Sequence, residues 1–130
     1  MKLLFLDDVR EPKQCIDYMQ LPIYAHSQWQ IVKSYDKFVK WIQDNGIPQI
    51  VSFDYDLASE HYTKLVQSGS SKRSARKSLT ELTGYDCALY LVEECRKQNK
   101  PLPRCLIHSM NPVGKKRILD VLHYAQTSLL

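Results

Sequence analysis

Two acidic pairs suggest the chemistry of this chain. Asp7 and Asp8 directly follow the apolar run Leu3-Leu4-Phe5-Leu6, and Asp54 and Asp56 follow the run Ile50-Val51-Ser52-Phe53. Carboxylates gathered at one edge repel each other unless a cation or shared protons compensate. Carboxylate oxygens are also preferred ligands of Mg²⁺, which is often shared with phosphates. The four aspartates therefore read as a Mg²⁺ or Mn²⁺ cradle that positions and neutralises a phosphoryl group, with Asp54 central to it. The competing reading, strand-end aspartates that only cap turns, suits a single Asp better than two pairs. Arg10 can neutralise the cluster or hold a phosphate with its planar fork.

A second set of polar residues falls later. His108 and Ser109 follow the apolar run Cys105-Leu106-Ile107. An imidazole there suits a general acid or base, or a metal ligand, although a lone His is otherwise a structural hydrogen-bonding residue. Ser109 can donate to a phosphate oxygen. Asn111 precedes Pro112 and suits a helix cap, and the helix N-terminus it opens favours anions, with Lys115 close by. Tyr55, between two aspartates, suits stacking on a base or walling a pocket. Thr83-Gly84-Tyr85-Asp86 matches a capping box, yet it lies where the chain returns to the sheet, so Thr83 is also a candidate site residue. His61 and Tyr62 read as surface residues that can close over a ligand.

The elements that must position these residues follow from hydrophobic spacing. Leu3–Leu6, Trp29–Lys33, Gln49–Phe53 and Arg104–His108 read as strands. A modest helix is expected near Lys13–Met19, and a loop near Leu21–Gln28. Ser34 can cap a helix that Asn45-Gly46 stops. Ala88, Leu91, Val92 and Cys95 form a helical face, as do Ile118, Val121, Leu122 and Ala125. Residues 58–82 have no clean period and are rich in Ser, Lys and Arg. A stretch of roughly 25 residues is long for a strand-to-helix connection, so it reads as an insertion after strand 3, with a helical piece near Glu60–Gln67. Four strands alternating with four helices predict a parallel sheet in a three-layer α/β sandwich. Right-handed crossovers make 2-1-3-4 the simplest strand order. That order places both acidic pairs at the topological switch point, where such folds bind ligands.

Composition narrows the class. At 130 residues the chain is expected to form one domain spanning 1–130, and its apolar content of 44% is that of a globular protein. No apolar run approaches the ~20 residues of a membrane span. Leu3–Leu6 is too short for a signal peptide, so a cytoplasmic location and no membrane partner are expected. Cys15, Cys87, Cys95 and Cys105 contain no C-x-x-C pair and read as free thiols. The net charge is +4, with basic residues concentrated in 72–77 and 115–117; such clusters attract phosphate-bearing partners or form solvated surface. Oligomeric state is not legible in the sequence.

Four strings in order resemble the cyclic-phosphate processing receiver domain family: Leu4-Phe5-Leu6-Asp7-Asp8-Val9-Arg10-Glu11-Pro12, Ser52-Phe53-Asp54-Tyr55-Asp56-Leu57, Thr83-Gly84-Tyr85-Asp86, and His108-Ser109-Met110-Asn111-Pro112-Val113-Gly114. The resemblance implies a receiver-like (flavodoxin-like) fold and processing of cyclic phosphates, as in RNA end repair or nucleotide metabolism. It places the family's acidic and His residues on Asp7, Asp8, Asp54, Asp56 and His108. Tyr55 stands where many members carry a His. Two-component receivers are also similar in their acidic residues, but their fifth-strand Lys has no counterpart here. The expectation is therefore a metal-dependent phosphoesterase-like domain acting on a phosphorylated nucleotide or RNA end. The alternatives are a non-catalytic nucleotide- or phosphate-binding sensor and a receiver-type signalling module.

Overall fold

Four short apolar runs form the sheet. β1 (Leu3–Leu6), β2 (Trp29–Val32), β3 (Ile50–Phe53) and β4 (Arg104–Ile107) are all parallel, in the order β2-β1-β3-β4. The computed structural model describes residues 2–57 and 82–129. Most of the expected insertion, with its helical piece near Glu60–Gln67, His61, Tyr62 and the basic cluster 72–77, lies outside the described residues. β1 and β3 are buried along their whole length, as central strands covered on both faces must be.

Three helices cover one face. α2 (Tyr35–Asn45) starts at the expected Ser34 cap, whose Oγ accepts from the Lys37 N–H at 3.2 Å. It ends at Gly46, whose φ of 87° suits a residue without Cβ. α3 (Gly84–Lys97) begins at the Thr83–Asp86 capping box, and α4 (Pro112–Leu129) follows Asn111. Their apolar stripes bury Phe38, Ile42, Leu91 and Ile118 against Leu4, Leu6, Val51 and Phe53. Each fully buried aliphatic or aromatic side chain of this kind contributes about 1.5–3 kcal/mol. The opposite face is thinner. The modest helix expected near Lys13–Met19 is a 3₁₀ turn, Pro12–Cys15, running into one turn of α1 (Ile16–Met19). A second 3₁₀ turn, Pro22–Ala25, occupies the expected loop. Together they place Cys15 and Tyr24 over Leu3, Phe5, Trp29 and Ile50. No described helix is long and apolar enough to cross a membrane.

One close approach fixes the site to the helical layer. The Gly84 N–H donates to the Tyr55 carbonyl at 2.8 Å, and a Cβ on Gly84 would overlap the Asp54 carbonyl group. Gly84→Ala should therefore destabilise the fold by about 1–3 kcal/mol, because backbone rather than a flexible side chain must yield. Urea unfolding measures this, and a wild-type midpoint would show that the start of α3 is free to shift.

Candidate functional site

Strand register assembles the site. Phe5 pairs with Ser52, and Ser52 with Leu106; one step on, Leu6 pairs with Phe53, and Phe53 with Ile107. The next residues along these three strands are Asp7, Asp54 and His108. The pairing continues through them, with the Asp54 N–H donating to the Leu6 carbonyl and the His108 N–H to the Phe53 carbonyl, each at 3.0 Å. Side chains alternate faces along a strand, so Phe5 and Asp7 share a face, as do Ser52 and Asp54, and Leu106 and His108. The ligand atoms of Asp7, Asp54 and His108 lie within 4.8 Å of one another.

Asp7 is the most constrained of the three. Its Oδ1 accepts the N–H groups of Val9 (2.8 Å) and Arg10 (2.9 Å), forming the turn that follows β1. Its Oδ2 faces His108 Nε2 at 2.9 Å and Arg10 Nη1 at 3.4 Å. Burial alone would raise the Asp7 carboxyl, but the His108 hydrogen bond and the two backbone donors hold it below its ordinary value. Asp7 is therefore a carboxylate at neutral pH. Asp54 differs. Burial, then the charge of Asp7, push its carboxyl up to about 6, although the Tyr55 N–H donates to Oδ1 at 2.8 Å and Arg10 lies 4.0 Å away.

His108 sits behind Asp7. Its side chain is fully buried and stacks on Phe5, with centroids 4.3 Å apart and planes 6° from parallel. Burial lowers its pKa, and the Asp7 hydrogen bond and charge offset this only in part. The contact with Asp7 is thus a neutral imidazole donating to a carboxylate. On the other side of the ring, Nδ1 lies 2.7 Å from Ser52 Oγ, which lies 2.7 Å from the Tyr24 hydroxyl. The Tyr18 hydroxyl donates to the His108 carbonyl at 2.7 Å.

A cleft of about 640 Å³ opens over these groups, lined by Asp7, Asp8, Val9, Arg10, Asp54, Asp56, Ser109, Met110 and Asn111. The structure thus brings together all four aspartates, Arg10, Ser109 and Asn111. Asn111 is a cap as well: its Oδ1 accepts the Gly114 N–H at 3.0 Å, while Nδ2 donates to Asp56 at 3.3 Å. The remaining candidates lie elsewhere. Tyr55 packs over Gly114 and accepts from Arg117 at 2.7 Å, because it points to the face opposite Asp54. The Thr83 side chain accepts the Tyr85 N–H at 3.1 Å and caps α3. Lys115 is exposed on α4 and does not line the cleft. Four further residues belong to the site: Val9 and Met110, which line the cleft as exposed apolar groups, and Ser52 and Tyr24 behind His108. A Ser inside an otherwise apolar strand was the available signal for Ser52; Tyr24 had none.

The donor set fits a hard divalent cation. Two neighbouring carboxylates at an open cleft leave room for water, as Mg²⁺ and Mn²⁺ require. Asp7 and Asp54 would hold the ion from the cleft side, and His108, already donating to Asp7, would support it from behind. Arg10 supplies the compensating charge.

A parallel 2-1-3-4 sheet with helices on both faces, and an acidic cluster at the switch point between β1 and β3, defines a receiver-like, flavodoxin-like domain. The chain belongs to the cyclic-phosphate processing receiver domain family, whose family model matches residues 2–124. No curated protein and no solved structure gives a significant match.

Proposed function

We propose that this domain is a metal-dependent phosphoesterase-like module that opens a cyclic phosphate on a nucleotide or RNA end. The observation that carries this reading is the charge of the cleft. Four aspartates and one arginine line it, so a phosphate is repelled unless a cation enters with it. A bound Mg²⁺ or Mn²⁺ would supply that neutralisation and Lewis-acid polarisation of the phosphate. Asp7 and Asp54 are the groups placed to hold it, with Asp8 and Asp56 at the rim. Arg10, with 28% of its side chain exposed, can turn from the carboxylates to the phosphate oxygens. Ser109 and Asn111 line the same cleft where the chain leaves β4, with the Asn111 amide beside Asp56. Without the ion, burial and the Asp7 charge raise the Asp54 carboxyl to about 6; a cation held there would keep it a carboxylate. The His108 ring does not line the cleft and serves by orienting Asp7.

Ring opening of a panel of 2′,3′-cyclic and 3′,5′-cyclic nucleotides and of RNA carrying a terminal cyclic phosphate, followed by ³¹P NMR with and without Mn²⁺, tests the reading. Turnover is expected only with metal, and Arg10→Ala should lower it roughly 10²–10³-fold through loss of charge stabilisation. Metal-dependent nucleotide binding with no ring opening would instead establish the sensor, and acyl-phosphate labelling of Asp54 would establish the signalling module.

A further inference from the structure

We propose that Ser52 and Tyr24 are positioning residues of this site: through a buried hydrogen-bond chain they anchor the His108 ring in place, and so hold Asp7 in the orientation that faces the cleft. This rests on the reading of Asp7 as a cation ligand. The chain runs from Tyr24 to Ser52 at 2.7 Å, from Ser52 to His108 Nδ1 at 2.7 Å, and from His108 Nε2 to Asp7 Oδ2 at 2.9 Å. Tyr24, Ser52, His108 and Asp7 are all fully buried. Donor and acceptor roles propagate along it in one direction. The Asp7 carboxylate can only accept, so His108 Nε2 carries the proton. Nδ1 of the neutral ring must then accept, so the Ser52 hydroxyl donates to it. The Ser52 oxygen in turn accepts from the Tyr24 hydroxyl.

Asp7 thus sets the tautomer, and Ser52 and Tyr24 anchor the ring from behind. Phe5 stacked on the ring, and the Tyr18 hydroxyl on the His108 carbonyl, remove the freedom to flip or slide. Without the Ser52 hydroxyl, Nδ1 loses its donor and the ring loses its anchor on the side away from Asp7, although Asp7 still keeps the proton on Nε2. A ring free to tilt then holds Asp7 Oδ2 less firmly. A hydroxyl two hydrogen bonds behind Asp7 thus bears on how the cleft holds a cation, as partners behind metal ligands do.

The test combines two readouts on Ser52→Ala, Ser52→Thr and Tyr24→Phe. Histidine ring ¹⁵N NMR reports the tautomer, and calorimetric titration with Mn²⁺ reports cation affinity, each on protein shown to be folded by its thermal melt. In the wild type the His108 ring should be neutral and protonated on Nε2. Ser52→Ala should keep the Nε2 tautomer but lose the hydrogen-bonded shift of Nδ1, and bind Mn²⁺ about 10-fold more weakly. Ser52→Thr, which keeps the hydroxyl, should restore both, and Tyr24→Phe should shift both in the direction of Ser52→Ala. A wild-type ring protonated on Nδ1 overturns the inference, as does a folded Ser52→Ala that keeps wild-type Mn²⁺ affinity. If Ser52→Ala does not fold, Tyr24→Phe decides by the same two readouts. A wild type that binds no Mn²⁺ yet shows a Ser52-dependent Nδ1 shift overturns the metal-site reading and leaves the hydrogen-bond chain standing.

Discussion

Excess Mn²⁺ should raise the melting temperature of the protein by on the order of 10 °C, and Asp54→Asn should abolish that rise. An ion present at a hundred times its dissociation constant stabilises the folded state by about 2.7 kcal/mol, which is several degrees to ~10 °C for a domain of this size. Asp54 is the substitution of choice because its carboxyl is strained without the ion. Burial and the Asp7 charge move it from an ordinary value of 3.8 to about 6 on folding. Between those values the folded protein keeps a proton that the unfolded chain has released, so stability falls as pH rises from about 4 to about 6. Above that window the carboxylate costs roughly 3 kcal/mol. Asp7, held below its ordinary value, acts in the opposite sense and only below about pH 4, so the two windows do not overlap. Metal-free Asp54→Asn should accordingly be more stable than wild type at pH 8 by about 1–3 kcal/mol, and equal to it near pH 4. Scanning calorimetry at the two pH values, with and without Mn²⁺, measures all four quantities. A melting temperature that ignores Mn²⁺ in the wild type would remove the cation from this site.

The legible and illegible parts of this site divide by how local their causes are. The four strands announce themselves as apolar runs, and the acidic pairs that end two of them mark the switch point once the sheet is taken as parallel. Ser34, Thr83 with Asp86, and Asn111 act locally as helix caps, so their positions in the sequence suffice to find them. Strand alternation also separates residues that adjacency joins. Tyr55 stands between Asp54 and Asp56 in sequence, yet it belongs to the face of Val51 and Phe53 and packs on α4, whereas Asp54 belongs with Ser52. The period of two carries that division. Tyr24 could not be read at all. It lies in a stretch without hydrophobic period, and only the return of the Pro22–Ala25 turn over the sheet brings its hydroxyl to Ser52, 28 residues away.

The same burial sets what His108→Ala should do. Its position after an apolar strand, at the acidic edge, suggests a proton-transfer group whose removal would lower turnover and spare the fold. The structure places the ring in the core instead, stacked on Phe5 and bonded at both nitrogens. Truncation to Ala leaves a cavity beside Phe5, takes from the buried Asp7 carboxylate one of its donors, and strips Ser52 of its acceptor. Removing a buried ring of this size costs about 3–5 kcal/mol, and stranded polar partners add to it. His108→Ala should therefore lower the melting temperature by more than 10 °C, or fail to fold at physiological temperature. His108→Gln, which keeps an amide donor within reach of Asp7, should recover part of that loss. Thermal melts of the two variants, with ring-opening assays at a temperature where both remain folded, separate the roles. A His108→Ala protein that melts like the wild type while its turnover falls by roughly 10²–10⁴-fold would show that the imidazole itself reaches the substrate and transfers the proton. Equal losses of stability and of Mn²⁺ affinity, with turnover restored at saturating metal, would show that it acts through Asp7.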